Sequence, residues 1–281
     1  MRGLKAALLA LALAAPAQAA DKAGGIVSVG GAITEIVFAL GAGDRLAARD
    51  ATSLYPEAAQ ALPDVGYLRA LSPEGVLSVG PSLILADQGA GPPETMEVLK
   101  AASIPLVLIP DVYSAEGVAA KVTAVGAAIG EAEKAAALAA EVTGRITEAT
   151  AQAKARAGDT PKRVLFILSA AGGRIMASGS GTAADAMIAL AGAENAVSGF
   201  EGYKPLTDEA ILAAAPDAIL MMERGGEHDS PVDELVALPA IAATPAGQAR
   251  AVVRMEGLYL LGFGPRTGDA VGELSAALYG N

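Results

Sequence analysis

One pattern is written twice in this chain, 135 positions apart. Leu71-Ser72-Pro73-Glu74-Gly75-Val76-Leu77 leads through Pro81 into the apolar run Leu83-Ile84-Leu85-Ala86. Leu206-Thr207-Asp208-Glu209-Ala210-Ile211-Leu212 leads through Pro216 into Ala218-Ile219-Leu220. Each copy reads as a hydroxyl N-cap, a short helix with Glu74 or Glu209 in its first turn, a proline past its end and then a strand. The repeat predicts two related lobes.

Length agrees. The first twenty residues read as a secretory signal peptide: Arg2 and Lys5 form a basic start, Ala6 to Ala15 an apolar run too short for a bilayer, and Ala17-Gln18-Ala19 an A-x-A cleavage site. The remaining roughly 260 residues suffice for two domains of about 100 to 120 residues and a connector. The chain has no cysteine, hence neither a disulfide framework nor a lipidated Cys after the leader. Of 20 basic residues, 18 remain once Arg2 and Lys5 are removed, against 31 acidic ones, a charge near −13. Nucleic acid and anionic membranes are poor partners for such a surface, and a soluble periplasmic protein is the simplest reading.

Strand, glycine loop and helix open the fold at Ile26–Val29, Gly30-Gly31 and about Ala32–Leu40. Strands at Leu46–Arg49, Leu83–Ala86 and Leu106–Ile109, with a helix near Pro93–Ala102, continue an α/β alternation that predicts a mostly parallel sheet. From Ser114 to about Arg156 the composition turns to Ala, Glu and Lys, broken near Gly130: two helices, the second about 39 Å long at ~1.5 Å per residue. Alternation resumes at Val164–Leu168, Ile175–Ala177 and Thr182–Leu190, and a last helix spans about Thr267–Leu278. The expected division is a signal peptide (1–20), an N-terminal lobe (21–130), a connecting helix (131–158) and a C-terminal lobe (159–281): two Rossmann-like α/β lobes joined by one long helix.

Two such lobes resemble the periplasmic binding proteins that serve ABC importers for metal chelates, cobalamin and heme. Ser28-Val29-Gly30-Gly31-Ala32-Ile33-Thr34-Glu35-Ile36, Asp64-Val65-Gly66-Tyr67-Leu68-Arg69-Ala70-Leu71-Ser72, Gly202-Tyr203-Lys204-Pro205-Leu206 and Leu261-Gly262-Phe263-Gly264-Pro265-Arg266-Thr267 narrow the resemblance to the hemin-binding members, over essentially the whole mature chain. The resemblance implies a transported ferric heme b whose iron is ligated by Tyr67. It also implies a permease and ATPase of an ABC importer as partners, and admits a TonB-dependent outer-membrane receptor upstream.

The chemistry stands beside the resemblance. Ferric iron is hard and favours an anionic oxygen; a free phenol has a pKa of about 10, and a coordinated cation favours its phenolate. Tyrosinate-ligated heme is an established type. If Tyr67–Arg69 is extended, both side chains share a face and Arg69 stabilises the phenolate; otherwise Tyr67 lines an interlobe surface and Arg69 is a solvated charge. Some relatives supply a second-lobe histidine in the loop after the lobe's first strand, but that loop here reads Leu168-Ser169-Ala170-Ala171-Gly172-Gly173-Arg174. The departure points to one five-coordinate heme. Tyr203 is the candidate opposite contact or a packing residue beside Pro205, and Arg174, Lys204 and Arg224 stand in loops where they could meet propionates or remain solvated.

Glu74 and Glu209 take their implied role from the resemblance: one glutamate per lobe for arginines on two permease subunits. Alone, each merely complements a helix dipole. A ferric siderophore or cobalamin cargo is the alternative within the fold. Gly179-Ser180-Gly181-Thr182-Ala183-Ala184 fits a dinucleotide-binding turn, which keeps an exported oxidoreductase as a different class, although no acidic residue follows on a clear second strand. His228 is the single histidine, which argues against a zinc or manganese site, and no Ser-His-Asp set supports an enzyme.

Overall fold

The computed structural model describes residues 24–223 and 231–280. The leader read at residues 1–20 lies outside the described residues, as do Arg224 and His228.

The first lobe comprises β1 (Ile26–Val29), α1 (Gly31–Ala39), β2 (Leu46–Arg49), α2 (Pro73–Leu77), β3 (Leu83–Asp87), α3 (Pro93–Ala101) and β4 (Leu106–Ile109). Its four strands are all parallel, in the order β2-β1-β3-β4. Helices α4 (Ala115–Ile129) and α5 (Ala132–Ala157) follow. Gly130, at φ 76°, ends α4, and the Glu131 N–H returns to the Gly126 carbonyl at 2.8 Å, the closing bond of a Schellman turn. That turn separates the two helices where composition placed the break.

The second lobe runs β5 (Arg163–Ser169), β6 (Met176–Ser178), α6 (Ala183–Leu190), β7 (Glu194–Asn195), β8 (Tyr203–Pro205), α7 (Asp208–Ala214) and β9 (Ala218–Glu223). After the gap come α8 (Val232–Val236), α9 (Pro239–Ala242), α10 (Pro245–Ala249), β10 (Val252–Glu256), α11 (Gly257–Leu261) and α12 (Thr267–Tyr279). Strands β7, β5, β9 and β10 repeat the parallel frame of the first lobe. The second lobe differs in one respect: β6 lies antiparallel along the end of β5, and β8 antiparallel along β6.

Period-two alternation sorts the core. Ile26 of β1, Leu85 of β3, Val164 and Phe166 of β5, and Leu220 of β9 join one cluster that runs through both lobes. Val27, Ile84 and Ala86 cover the outer face of the first sheet, and Leu165, Ile167 and Ile219 that of the second. The shared cluster is completed by α5, whose buried Ala135, Ala139, Val142, Ile146 and Ala153 form one stripe. Small residues allow close approach there. A Cβ on Gly126 of α4 would come within 2.1 Å of the Ala135 Cβ, and one on Gly268 of α12 within 3.0 Å of the Arg145 backbone. The long helix therefore packs against both lobes. Among the described residues no helix is long and apolar enough to cross a membrane.

Candidate functional site

Tyr67 is built by the backbone around it. After β2 the chain doubles back so that residues 49–51 and 64–66 run side by side: Val65 N–H donates to Arg49 O at 3.0 Å and Ala51 N–H to Gly66 O at 2.9 Å. Gly66 adopts φ 103°, a region side chains rarely enter, and this turns the chain outward at Tyr67. The next residues are not extended. Ala70 N–H donates to Tyr67 O at 2.7 Å, closing a tight turn, so the expected alternation that would align Tyr67 with Arg69 is absent.

That turn is pinned. Gly91 N–H donates to Leu68 O at 2.9 Å, Leu71 N–H returns to Gly91 O at 3.0 Å, and the Thr95 hydroxyl donates to Leu71 O at 2.9 Å. Val65 and Leu71 anchor both flanks in the core. The result is a phenol 48% exposed on a fixed backbone, which suits a ligand-facing residue.

Arg69 is exposed, and its charge acts on groups of both lobes. It favours the ionised forms of Asp87, at the end of β3, and of Tyr203, on β8. Burial nevertheless raises Asp87 above its usual carboxylate range, helped by neighbouring Asp111 and opposed by the Gly89 N–H, Lys121 and Arg69. Lys121 is 1% exposed and donates to Asp111 at 2.6 Å and to Gly262 O of the second lobe at 3.3 Å. Beside them the Tyr113 ring packs on Phe263, with centroids 5.1 Å apart. Desolvation and Asp111 push the Tyr113 phenol far up. Lys121 was missed in the sequence because a lysine inside an Ala-rich helix ordinarily points to water.

Tyr203 is half-buried, its ring edge-on to Phe166 at 6.3 Å. Burial raises its pKa, opposed by the neighbouring Thr182 and Ser178 hydroxyls and by the charge of Arg69. Its ring thus packs against its own lobe, whereas Tyr67 is more exposed. Arg174 and Lys204 are exposed, the latter with its Nζ 5.3 Å over the Phe200 ring; Arg224 lies outside the described residues.

The repeated helices have the expected ends. The Ser72 hydroxyl accepts from Gly75 N–H at 2.9 Å and the Thr207 hydroxyl from Ala210 N–H at 3.2 Å. Glu74 and Glu209 are both exposed. Backbone N–H and Thr207 hold the Glu209 carboxyl below its usual range.

The glycine turn at 179–184 is no nucleotide site. Its strand β6 is antiparallel to β5 rather than part of a parallel crossover, and Asp185 fills the helix start, accepting from Gly181 N–H at 3.0 Å. A phosphate there would meet a carboxylate. Among the described residues no group of three His, Cys, Asp or Glu could hold a metal ion.

Residues 26–257 match the periplasmic binding protein family. Among solved structures, the chain is 43% identical to the periplasmic heme-binding protein BhuT in complex with two hemes, covering 90% of this chain and 97% of that one at a TM-score of 0.85. It is 41% identical to apo RhuT from Roseiflexus sp. RS-1, covering 92% and 98% at 0.86, and 31% identical to a periplasmic heme-binding protein from Pseudomonas aeruginosa, covering 91% and 92% at 0.83. A vitamin B12-binding protein of Yersinia pestis (strain Pestoides F) is 39% identical over 101 residues, 36% of this chain. This chain thus spans about a third (35%) of the length of that relative. The matched proteins are binding proteins, not enzymes.

Proposed function

The chain belongs to the periplasmic binding protein family, and from that premise we propose that it captures ferric heme between its lobes through a Tyr67 phenolate and delivers it to an inner-membrane ABC importer. One observation carries the reading: Tyr67 is a nearly half-exposed phenol on a turn held by three hydrogen bonds from the Gly91 loop and Thr95. The heme-binding proteins to which the chain is similar over nine-tenths of its length supply the cargo.

A phenol becomes a good ferric ligand by losing its proton, so binding releases a proton and strengthens as pH rises. Glu74 and Glu209 present one carboxylate per lobe to basic residues of a two-fold permease. The leader at 1–20 carries the chain to the periplasm, where a TonB-dependent receptor would supply heme.

Cobalamin is the second reading, favoured by the likeness to a vitamin B12-binding protein over about a third of the chain. Titration of the mature protein with hemin and with cyanocobalamin separates the two. The heme reading expects a tyrosinate-type ferric spectrum with hemin that is lost in Tyr67→Ala, and no uptake of cobalamin. An unchanged hemin spectrum in wild type would sink it, and saturation at two equivalents would replace the single five-coordinate heme with a pair.

A further inference from the structure

The lobes meet at more than the connecting helix. Residues 257–266 of the second lobe, helix α11 and the loop that joins it to α12, press into the first. Arg266 leads this contact. Its Nε–H donates to Glu35 Oε2 of α1 at 3.0 Å, with Nη2 2.9 Å from the same oxygen. Its guanidinium carbon lies 3.7 Å from the Tyr55 ring centroid and 5.0 Å from that of Tyr259. A cation between two aromatic faces, bonded to a carboxylate whose side chain is 6% exposed, is a fixed point.

The fixed point connects to the turn that carries Tyr67. Thr34, next to Glu35 in α1, shares a hydrogen bond of 2.6 Å with Ser53, and Ser53 donates to Asp50 at 2.8 Å. Asp50 also accepts from Gly30 N–H at the start of α1 at 2.9 Å. This buried polar chain ties α1 to the 50–55 loop, whose Ala51 N–H bonds Gly66 beside Tyr67. Tyr55 belongs to that loop.

The pair is also poised rather than saturated. Glu35 Oε1 has no hydrogen-bond partner, burial raises the Glu35 pKa against the pull of Arg266, and a cavity of about 450 Å³ lined by Leu54, Tyr55, Gln60, Glu256, Tyr259 and Arg266 opens beside it. A buried ion pair of this kind contributes little net stability, and in some proteins its main effect is to specify geometry. We propose that Arg266 is a positioning residue that locks the angle between the lobes and, through Tyr55 and Glu35, holds the Tyr67 wall against the second lobe so that ligand is retained.

The ligand half of this proposal rests on the heme reading; the lobe half does not. Arg266→Met alone would strand the Glu35 charge, so the variant is Arg266→Met with Glu35→Gln, compared with Arg266→Lys and Tyr55→Ala. The natural chain has no cysteine, so spin labels at Glu94→Cys on α3 and Gln248→Cys on α10 report the interlobe distance in the ligand-free protein. Transfer of hemin to excess apomyoglobin reports retention. The double variant should broaden the distance distribution and release hemin at least tenfold faster with the ferric spectrum unchanged, while Arg266→Lys, which keeps the ion pair, recovers part of both. Tyr55→Ala should shift both in the same direction. A wild-type distance distribution in the double variant and in Tyr55→Ala would overturn the lock. Wild-type release from a broadened distribution would overturn its link to retention. Failure of wild type to bind hemin would remove the heme reading and leave the distance test standing.

Discussion

The first lobe's β2-β1-β3-β4 and the second lobe's β7-β5-β9-β10 are the same parallel frame, yet the segment between the frame's edge strand and the repeated helix, α2 or α7, differs between them. In the first lobe it is a loop that ends in the pinned turn at Tyr67, open to water. In the second it is the strand β8, paired with the inserted β6, and it turns Tyr203 onto Phe166. The duplicated frame thus keeps in both copies a capped helix with an exposed glutamate. Under the proposed function it is free to diverge where only one copy supplies a ligand.

The sharpest test of that division exchanges each phenol for a ring without the hydroxyl. Tyr67→Phe should weaken hemin binding by roughly 100-fold, about 2.7 kcal/mol, in fluorescence or absorbance titration. Tyr203→Phe should leave affinity within a few-fold, because it keeps the ring packed edge-on to Phe166. Equal losses of affinity would erase the contrast and make both lobes ligand-bearing.

Docking should show the opposite, a symmetric result. Glu74→Gln and Glu209→Gln should each reduce hemin uptake by a reconstituted importer several-fold, and by similar factors, because each lobe meets one half of a two-fold partner. Hemin affinity of the isolated protein should not change. A loss confined to one glutamate would break the symmetry that the repeated caps imply.

What could be read without coordinates was local. Ser72 and Thr207 cap helices, Pro81 and Pro216 follow them, and β1, β3, β5 and β9 are short apolar runs, because those patterns depend on neighbours within a turn or two. Tyr67 emerged from the resemblance to hemin-binding proteins, not from periodicity. A strand was legible at Ile175–Ala177, where β6 forms, but not its antiparallel pairing, and β8, three residues long, is too short to show alternation. The Lys121–Gly262 and Glu35–Arg266 contacts join positions 141 and 231 residues apart. Charged residues on apolar faces carry no mark of so distant a partner, so the whole interlobe lock was invisible.

The end of the central strand offers a pH test of the comparison. Asp87 and Met222 are equivalent under the 135-residue offset, but only the first titrates. Folded Asp87 holds its proton more tightly than its ordinary value of 3.8, so the native state gains protons relative to the unfolded chain and stability falls as pH rises through that window. In Asp87→Asn this fall should vanish: the variant should gain on wild type in urea midpoints as pH is raised from about 4 to 7. Met222→Leu should track wild type at every pH. A parallel curve for Asp87→Asn would mean that Lys121 and Arg69 fully offset the burial of the carboxylate.

The smallest expected effect isolates a single backbone torsion. The same offset relates Gly80 to Ala215, and both sit just before the proline with positive φ, 59° and 40°. Glycine adopts this region freely, whereas an L side chain there costs ~1–2 kcal/mol. Gly80 would meet nothing within 4 Å if given a Cβ, so crowding plays no part. Against this, glycine loosens the unfolded chain by roughly 0.5–1 kcal/mol relative to alanine. Ala215→Gly should therefore stabilise the second lobe by up to about 1 kcal/mol, and Gly80→Ala should destabilise the first by a similar amount. In thermal unfolding these are opposite shifts of about 2–4 °C. Two shifts of the same sign would mean that the prolines after these residues do not impose a common torsion, and that the repeat ends at the helices rather than running on into the strands.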